Sequence, residues 1–434
     1  MVSKRTPKDA PIVIVGAGVF GLSTALELKK RGYRHITVID RFLPPVPDGS
    51  SVDISRIIRV DYADPVYGQM ARESYEGWNT QYSDHYHESG FVMLADRKGN
   101  SYLDGAKEVA AKSGLKLINY DDAKDIQKEY PSAKADFSGL QACINPKGGW
   151  ADAKGAIAQM ASECSQLGVH FIAGARGTVT SLKMEQGRVV GVNVVEGPPV
   201  LGEQVILATG AWTNRLIPIT HASSASGQPV GFIQLTEEEA ERLKDMPVMI
   251  NFQTGVFVFP PTKGKNPILK FARHGYGYAT EVRVGESGAG ASERVISAPK
   301  RDGSNASSGY LPDDADEGLR DGVRQLAPEF ASRGWINRRL CWYSDTPEGD
   351  FIMDYHPSID GLFFATGGAG HAFKFLPVLG KYAADCFEEK ASPELRHKWR
   401  LRESSGTQEA LKLGDGSRGG PPLRKLTAVE QAKL

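Results

Sequence analysis

"PIVIVGAGVFGLSTALELKKRGYRHITVID", residues 11–40, reads as a short apolar strand, a glycine-rich turn, a helix and a second strand that closes on Asp40. Gly16, Gly18 and Gly21 stand in G-x-G-x-x-G spacing. The first allows the tight turn, the second lets the backbone approach a pyrophosphate, and the third lets the helix pack on the strand. Val19 and Phe20 open that helix, whose free N–H groups and partial positive charge face the phosphates. Asp40 is placed to accept from ribose hydroxyls, and Arg41 follows it into the same site. An acid at this position disfavours a 2′-phosphate, so FAD or NAD fits the turn better than NADP.

Two further segments return to this unit. Residues 150–215 restart a helix near Asp152, pass through a turn-rich hairpin and reach "EQVILATGAW" (203–212), a strand ending at a glycine. Residues 361–388, "GLFFATGGAGHAFKFLPVLGKYAADCFE", form a third strand–glycine–helix unit. Between them lie two long insertions. The expected plan is a discontinuous α/β nucleotide-binding domain of Rossmann type (1–65, 150–215 and 335–388). Into it is inserted an α+β substrate domain on an antiparallel sheet (66–149 and 216–334), and a polar C-terminal tail (389–434) is expected to wrap the surface. The Gly/Ser-rich stretches 285–293 and 302–309 are expected to be mobile surface loops. Residues 69–90 are expected to be helical, and Arg56 and Arg59 in "SRIIR" are expected to share one face of a helical turn.

Composition removes several classes. The 434 residues exceed what one hydrophobic core holds, and 41% apolar with 24% charged residues is ordinary for a globular protein. Basic and acidic residues balance at 52 each, which gives no basic excess for nucleic acid. No apolar run has membrane-spanning length, and the polar N-terminus shows no secretory signal. The four cysteines, Cys143, Cys164, Cys341 and Cys386, form no C-x-x-C pair and have no histidine at zinc spacing, so neither a disulfide framework nor a metal site is expected. Ala432-Lys433-Leu434 is similar to the S-K-L peroxisomal address. A peroxisome and its import receptor, or else the cytoplasm, are the expected settings.

Four segments together carry a resemblance over nearly the whole chain: the Gly16–Gly21 turn with Asp40; Arg56-Ile57-Ile58-Arg59; Lys270-Phe271-Ala272-Arg273-His274; and Cys341-Trp342-Tyr343 with Gly370-His371-Ala372-Phe373-Lys374. The chain resembles the amine-oxidising flavoproteins related to monomeric sarcosine oxidase, which include L-pipecolate, fungal saccharopine and fructosyl-amino-acid oxidases. The resemblance implies a D-amino-acid-oxidase-like, glutathione-reductase-type fold with FAD as cofactor. It implies that Cys341 forms a thioether to the flavin 8α-methyl group, the thiolate being favoured by Arg338 and Arg339. Read alone, Cys341 is equally a buried inert thiol. The resemblance further implies that Lys270 promotes reaction with oxygen, a fixed cation stabilising the developing superoxide. His274 polarises substrate, and Lys374 grips the substrate carboxylate. Arg56 and Arg59 lie near the flavin and the carboxylate, and Asp53 and Tyr62 support them. Ser50, Gly368, Gly370 and Phe373 complete the cofactor set, and Arg418 is a further candidate beside Gly419-Gly420-Pro421.

The fructosyl-amino-acid branch carries an acid immediately before the histidine and tends to have a lysine at the Arg56 position. Arg273 and Arg56 therefore weigh against a fructosyl substrate, and Arg273 is expected to favour an additional carboxylate. The expected activity is an FAD-dependent oxidase of a secondary amine in an N-substituted amino acid, of saccharopine, pipecolate or sarcosine type, using O2 and yielding H2O2. A fructosyl-amino-acid oxidase is the alternative; an NAD-dependent dehydrogenase and an inactive flavin-binding protein are remote ones. A monomer is expected, with a dimer left open.

Overall fold

The computed structural model describes residues 6–285, 293–403 and 414–434. Of the Gly/Ser-rich loop expected at 285–293, residues 286–292 lie outside these, as do residues 404–413 of the expected tail.

Six strands form the cofactor sheet, in the order Ile352–Tyr355, Leu362–Thr366, Gln204–Leu207, Ile12–Val15, Ile36–Ile39 and His170–Ile172. All pair in parallel except Ile352–Tyr355, which joins Leu362–Thr366 antiparallel. Ile14 faces Ile206 on one side and Val38 on the other. These strands are runs of Ile, Val, Leu and Phe because helices cover the sheet and little surface is left for polar residues. The helices Val19–Lys30, Ala153–Gln166 and Leu376–Phe387 bury Leu22, Ile157 and Leu379 in one core with Ile14 and Phe363.

The second sheet has ten strands and runs antiparallel apart from two parallel pairs. Its long strand Ser224–Gln234 is flanked by Ile268–Arg273 and by Asn337–Asp345. Phe232 pairs with Lys270 and Gln228 with Cys341, so one strand carries both chemical residues on its flanks. The Cys341 strand thus belongs by pairing to the substrate sheet, and the cofactor segment expected from 335 begins only after it. Helix Asp313–Leu326 covers the opposite face of this sheet, where Leu319 and Val323 meet Phe271 and Leu269.

Local expectations change at three places. Arg56–Ile58 is a strand, paired with Gly149–Ala151, and not a helical turn. Two adjacent β-branched isoleucines favour the extended chain there. The helix expected over 69–90 is Pro65–Asn79, started by Pro at its first position and by the Asp64 side chain, which accepts from Val66 and Tyr67 N–H. The 302–309 segment is anchored: Asn305 is buried and donates to Asp48 at 3.0 Å. Among the described residues no helix is long and apolar enough to cross a membrane.

Candidate active site

A large cavity is lined by Gly16, Gly18, Asp40 and Val179, and also by Cys341, Gly370, Phe373 and Lys374. At Gly16 φ is +111°, and a Cβ there would lie 2.4 Å from the Ala208 carbonyl oxygen, so no side chain can fill the turn. Val19 N–H donates to Ser51 Oγ at 2.9 Å, which orients the helix start toward the cavity. The Asp40 carboxylate accepts from Ala17 N–H (2.8 Å) and Arg41 N–H (2.6 Å). Burial pushes its carboxyl above the usual range despite those bonds. Arg41 pairs with Asp48 at 2.8 Å and lies 4.6 Å from the centre of the Trp212 ring. An open glycine turn, a half-buried acid beyond it and a cavity continuing to the Cys341 strand together fit an extended FAD.

Near Cys341, Asp53 is the hub. Its carboxylate receives Arg56 Nη1 at 2.7 Å, Lys270 Nζ at 2.9 Å and Arg339 Nη2 at 3.2 Å. Burial alone would raise the Asp53 carboxyl, but Lys270, Arg56 and Arg339 together hold it well below the usual carboxylate range. Lys270, 2% exposed, also donates to the Ser55 carbonyl at 2.7 Å. Burial lowers its ammonium to about 7, a fall that Asp53 limits. Arg56 Nη2 reaches the Ser50 carbonyl at 2.7 Å and lies 3.8 Å from Cys341 Sγ. The guanidinium beside the thiol is therefore Arg56. Arg339 is engaged with Asp53, and Arg338 points away to Asp316 at 2.8 Å, so the expectation that these two favour the thiolate is corrected. Ser50 donates its hydroxyl to the Trp342 carbonyl beside the thiol. Cys341 is half-buried in the cavity, whereas burial pushes the thiols of Cys143, Cys164 and Cys386 up to about 12.

Arg59 and Lys374 both approach one aromatic ring. The Arg59 guanidinium is 4.4 Å and the Lys374 ammonium 5.4 Å from the centre of Tyr62. Arg59 is oriented by Asp61 (3.0 Å) and by the Tyr102 hydroxyl (2.6 Å). Tyr62 is oriented through His371, whose Nε2 lies 2.7 Å from the Gly349 carbonyl and whose Nδ1 lies 3.2 Å from the Tyr62 hydroxyl. The carbonyl requires Nε2–H, so Nδ1 accepts from Tyr62. Lys374 donates to the His371 carbonyl at 3.0 Å and forms no ion pair among the described residues. Burial, then Arg59, lowers its ammonium far below the usual lysine value.

Arg273 points another way. Along Ile268–Arg273 the side chains alternate: Lys270 and Ala272 face the cavity, and Phe271 packs with the covering helix. Arg273 follows Phe271, and its guanidinium lies against Gly318 of that helix, Nη2 only 2.1 Å from where a Cβ would stand. Its surroundings are Tyr278, Asp314 and Asp321. The guanidinium is thus directed toward the covering helix, although Arg273 also borders the cavity, as His274 does, and its grip on a second substrate carboxylate stays an expectation.

Arg418 is buried, but it is engaged: its guanidinium grips Asp345 with both Nη atoms. Ser417 and Arg418 therefore reach the interior, where the tail was expected to lie on the surface. Tyr343, Asp61, Tyr102, His371, Asp415 and Ser417 are the residues that sequence reasoning left without a role. Tyr343 had a signal, since a residue two beyond Cys341 in a strand shares its face.

The profile of the DAO family, FAD dependent oxidoreductase, matches residues 11–386. The chain belongs to this family. It is 34% identical to L-saccharopine oxidase of Schizosaccharomyces pombe, with 92% of this chain and 94% of that protein covered. It is 25% identical to peroxisomal sarcosine oxidase of Mus musculus, over 85% of this chain and 90% of that one. Among solved structures it is similar to fructosyl peptide oxidase from E. terrenum, with a TM-score of 0.83, 26% identity and 97% of each chain covered. The chain is an FAD-dependent amine oxidase acting on CH–NH, with the fold that the sequence led one to expect.

Proposed function

We propose that the substrate is a secondary amine within an N-substituted amino acid, saccharopine or a similar dicarboxylic amine first, and pipecolate or sarcosine after it. The observation that carries this reading is buried Lys374, without an ion-pair partner among the described residues, beside Arg59 on the Tyr62 ring. Burial disfavours the charged form of this lysine, and a substrate carboxylate supplies the counter-ion that favours it. The 34% identity to a protein named L-saccharopine oxidase supports the choice within the class.

In this reading Lys374 and Arg59 anchor the carboxylate over Tyr62 and so fix the carbon next to the amine. The turn Gly16–Gly21, Asp40, Arg41, Ser50, Asp53, Gly368, Gly370 and Phe373 hold FAD, with Cys341 as the covalent attachment and Arg56 beside its sulfur. FAD bound there would supply the hydride acceptor for that carbon, with O2 as the final electron acceptor, so that the products would be H2O2 and an imine open to hydrolysis. Lys270 places a cation where charge develops on oxygen, and Asp53 keeps it charged.

The experiment is peroxide release from the purified protein with saccharopine, pipecolate, sarcosine and fructosyl-valine in parallel. Saccharopine is expected to lead; a clear preference for fructosyl-valine overturns the choice. Acid precipitation tests the attachment: the yellow colour stays in the pellet of the wild type and moves to the supernatant in Cys341→Ser.

The protein is proposed to act as a monomer, and residence in the peroxisome is proposed on the Ala432–Leu434 tripeptide. Leu434 is packed in the substrate domain, with Lys300 donating to its carbonyl, so receptor binding would require the helix Ala428–Lys433 to undock.

A further inference from the structure

The C-terminal residues form a directed hydrogen-bond chain into the cavity. Arg418, held by Asp345 and donating to the Gly275 and Ala369 carbonyls at 3.3 Å, fastens the segment to the end of the Cys341 strand. Ser417 then meets His274, with Oγ 2.9 Å from Nε2. The Ser417 hydroxyl and its backbone N–H (3.0 Å) both donate to one oxygen of Asp415. At the other ring nitrogen, the Tyr343 hydroxyl is 3.3 Å from Nδ1.

The donors settle the direction of this chain. Burial would raise the Asp415 carboxyl, but the two hydrogen bonds from Ser417 hold it below the usual carboxylate range, so it is ionised and only accepts. The one hydroxyl proton of Ser417 is therefore committed to Asp415, and its oxygen accepts from His274 Nε2–H. Burial, then Arg418, Lys374 and Arg59, lowers His274 to about 3 and offsets the opposing pull of Asp415, so the ring is neutral and has one N–H. Nδ1 must then accept, and Tyr343 gives its proton to it. The Tyr343 oxygen is left with only lone pairs. Its ring packs on Gly370, where φ is +79° and a Cβ would lie 2.3 Å from a ring carbon, and both residues line the cavity.

We infer that Asp415 and Ser417 are positioning residues: through the His274 tautomer they make the Tyr343 oxygen an acceptor for the substrate's secondary N–H. A secondary amine has one N–H and one lone pair. Fixing the first fixes the second, and the lone pair must align with the C–H bond that breaks. This deepens the proposed function and rests on it. It adds a specificity: a tertiary, N-methylated amine has no N–H to offer.

The test uses the FAD-loaded full chain labelled with 15N-histidine, the His274 signals being assigned by difference from His274→Gln. In the wild type, Nε2 is expected to carry the proton and Nδ1 none. Ser417→Ala is expected to give a mixture of tautomers and a kcat about tenfold lower with saccharopine at similar KM. Ser417→Thr restores both, and Asp415→Asn behaves as Ser417→Ala does. A wild-type His274 protonated at Nδ1 overturns the inference. So does a Ser417→Ala protein with wild-type tautomer and kcat, or equal turnover of saccharopine and its N-methyl derivative. If the wild type releases no peroxide from any amine, the functional reading fails, and the tautomer measurement still decides the direction of the chain.

Discussion

Near Cys341 three cations, Lys270, Arg56 and Arg339, converge on the single carboxylate of Asp53. Beside Tyr62, Arg59 has Asp61, and Lys374 forms no ion pair among the described residues, Asp415 and Asp61 acting on it only at longer range. Both groups are basic. In the first every cation shares an acid of the chain itself, and in the second Lys374 is left for a ligand. A built-in carboxylate keeps the charges near the cofactor constant through turnover, whereas a missing one turns the cost of burying Lys374 into affinity for an anion that comes and goes.

The largest expected effect follows from removing the built-in acid. Asp53→Asn leaves buried Lys270 and half-buried Arg56 and Arg339 without their shared acid and is expected to cost about 3–5 kcal/mol of stability, read as a lowered Tm of the FAD-loaded protein. Lys374→Met should do the opposite in kind: it removes a buried amine that has no ion pair among the described residues, so Tm stays level or rises. Its kcat/KM with saccharopine falls by about 2–3 kcal/mol, roughly 30- to 150-fold. If Lys374→Met lowers Tm as Asp53→Asn does, the two groups are not different and the comparison breaks.

Lys270→Met sharpens the same contrast by separating two half-reactions. Re-oxidation by O2 is expected to slow about a hundredfold, while anaerobic reduction by saccharopine is unchanged. Stopped-flow absorbance reads both. Equal slowing would mean that the Asp53 cluster serves substrate and not oxygen.

How far these groups were legible in the sequence depended on distance along the chain. The Gly16–Asp40 unit is local, with its glycines, apolar runs and acid all inside thirty residues, so pattern alone reads it. Lys270, Cys341 and Lys374 were legible only through the resemblance of their short segments to the amine-oxidising flavoproteins. The strand at Arg56–Ile58 was legible in its isoleucines and was misread as a helical turn. The parity that turns Arg273 toward the covering helix was also present, since Lys270 and His274 are an even step apart and Arg273 is not. Asp415 and Ser417 had no such signal. They meet His274 from more than a hundred residues away, and a polar, glycine-rich segment reads as surface until the fold closes on it. Nor does the sequence show that Asp53 is shared three ways, because its partners come from three separate strands.

The smallest effect, a pH dependence, tests whether Asp53 tunes Lys270 and does more than hold it. Burial brings the Lys270 ammonium down to about 7, and Asp53 raises it while Arg56 lowers it further. The cation is thus present below about pH 7 and lost as pH rises through that value. The rate of reaction with O2 in the wild type is therefore expected to be high at pH 6 and to decline across about pH 7–8. Asp53→Asn removes the one group that raises the ammonium, so in whatever fraction of that variant remains folded the decline moves to lower pH. At pH 7 the difference amounts to a few-fold in the oxygen step, with the midpoint displaced downward. An upward displacement would mean that Asp53 does not act on Lys270 by charge, and its carboxylate would then be an attachment for Arg56 and Arg339 alone.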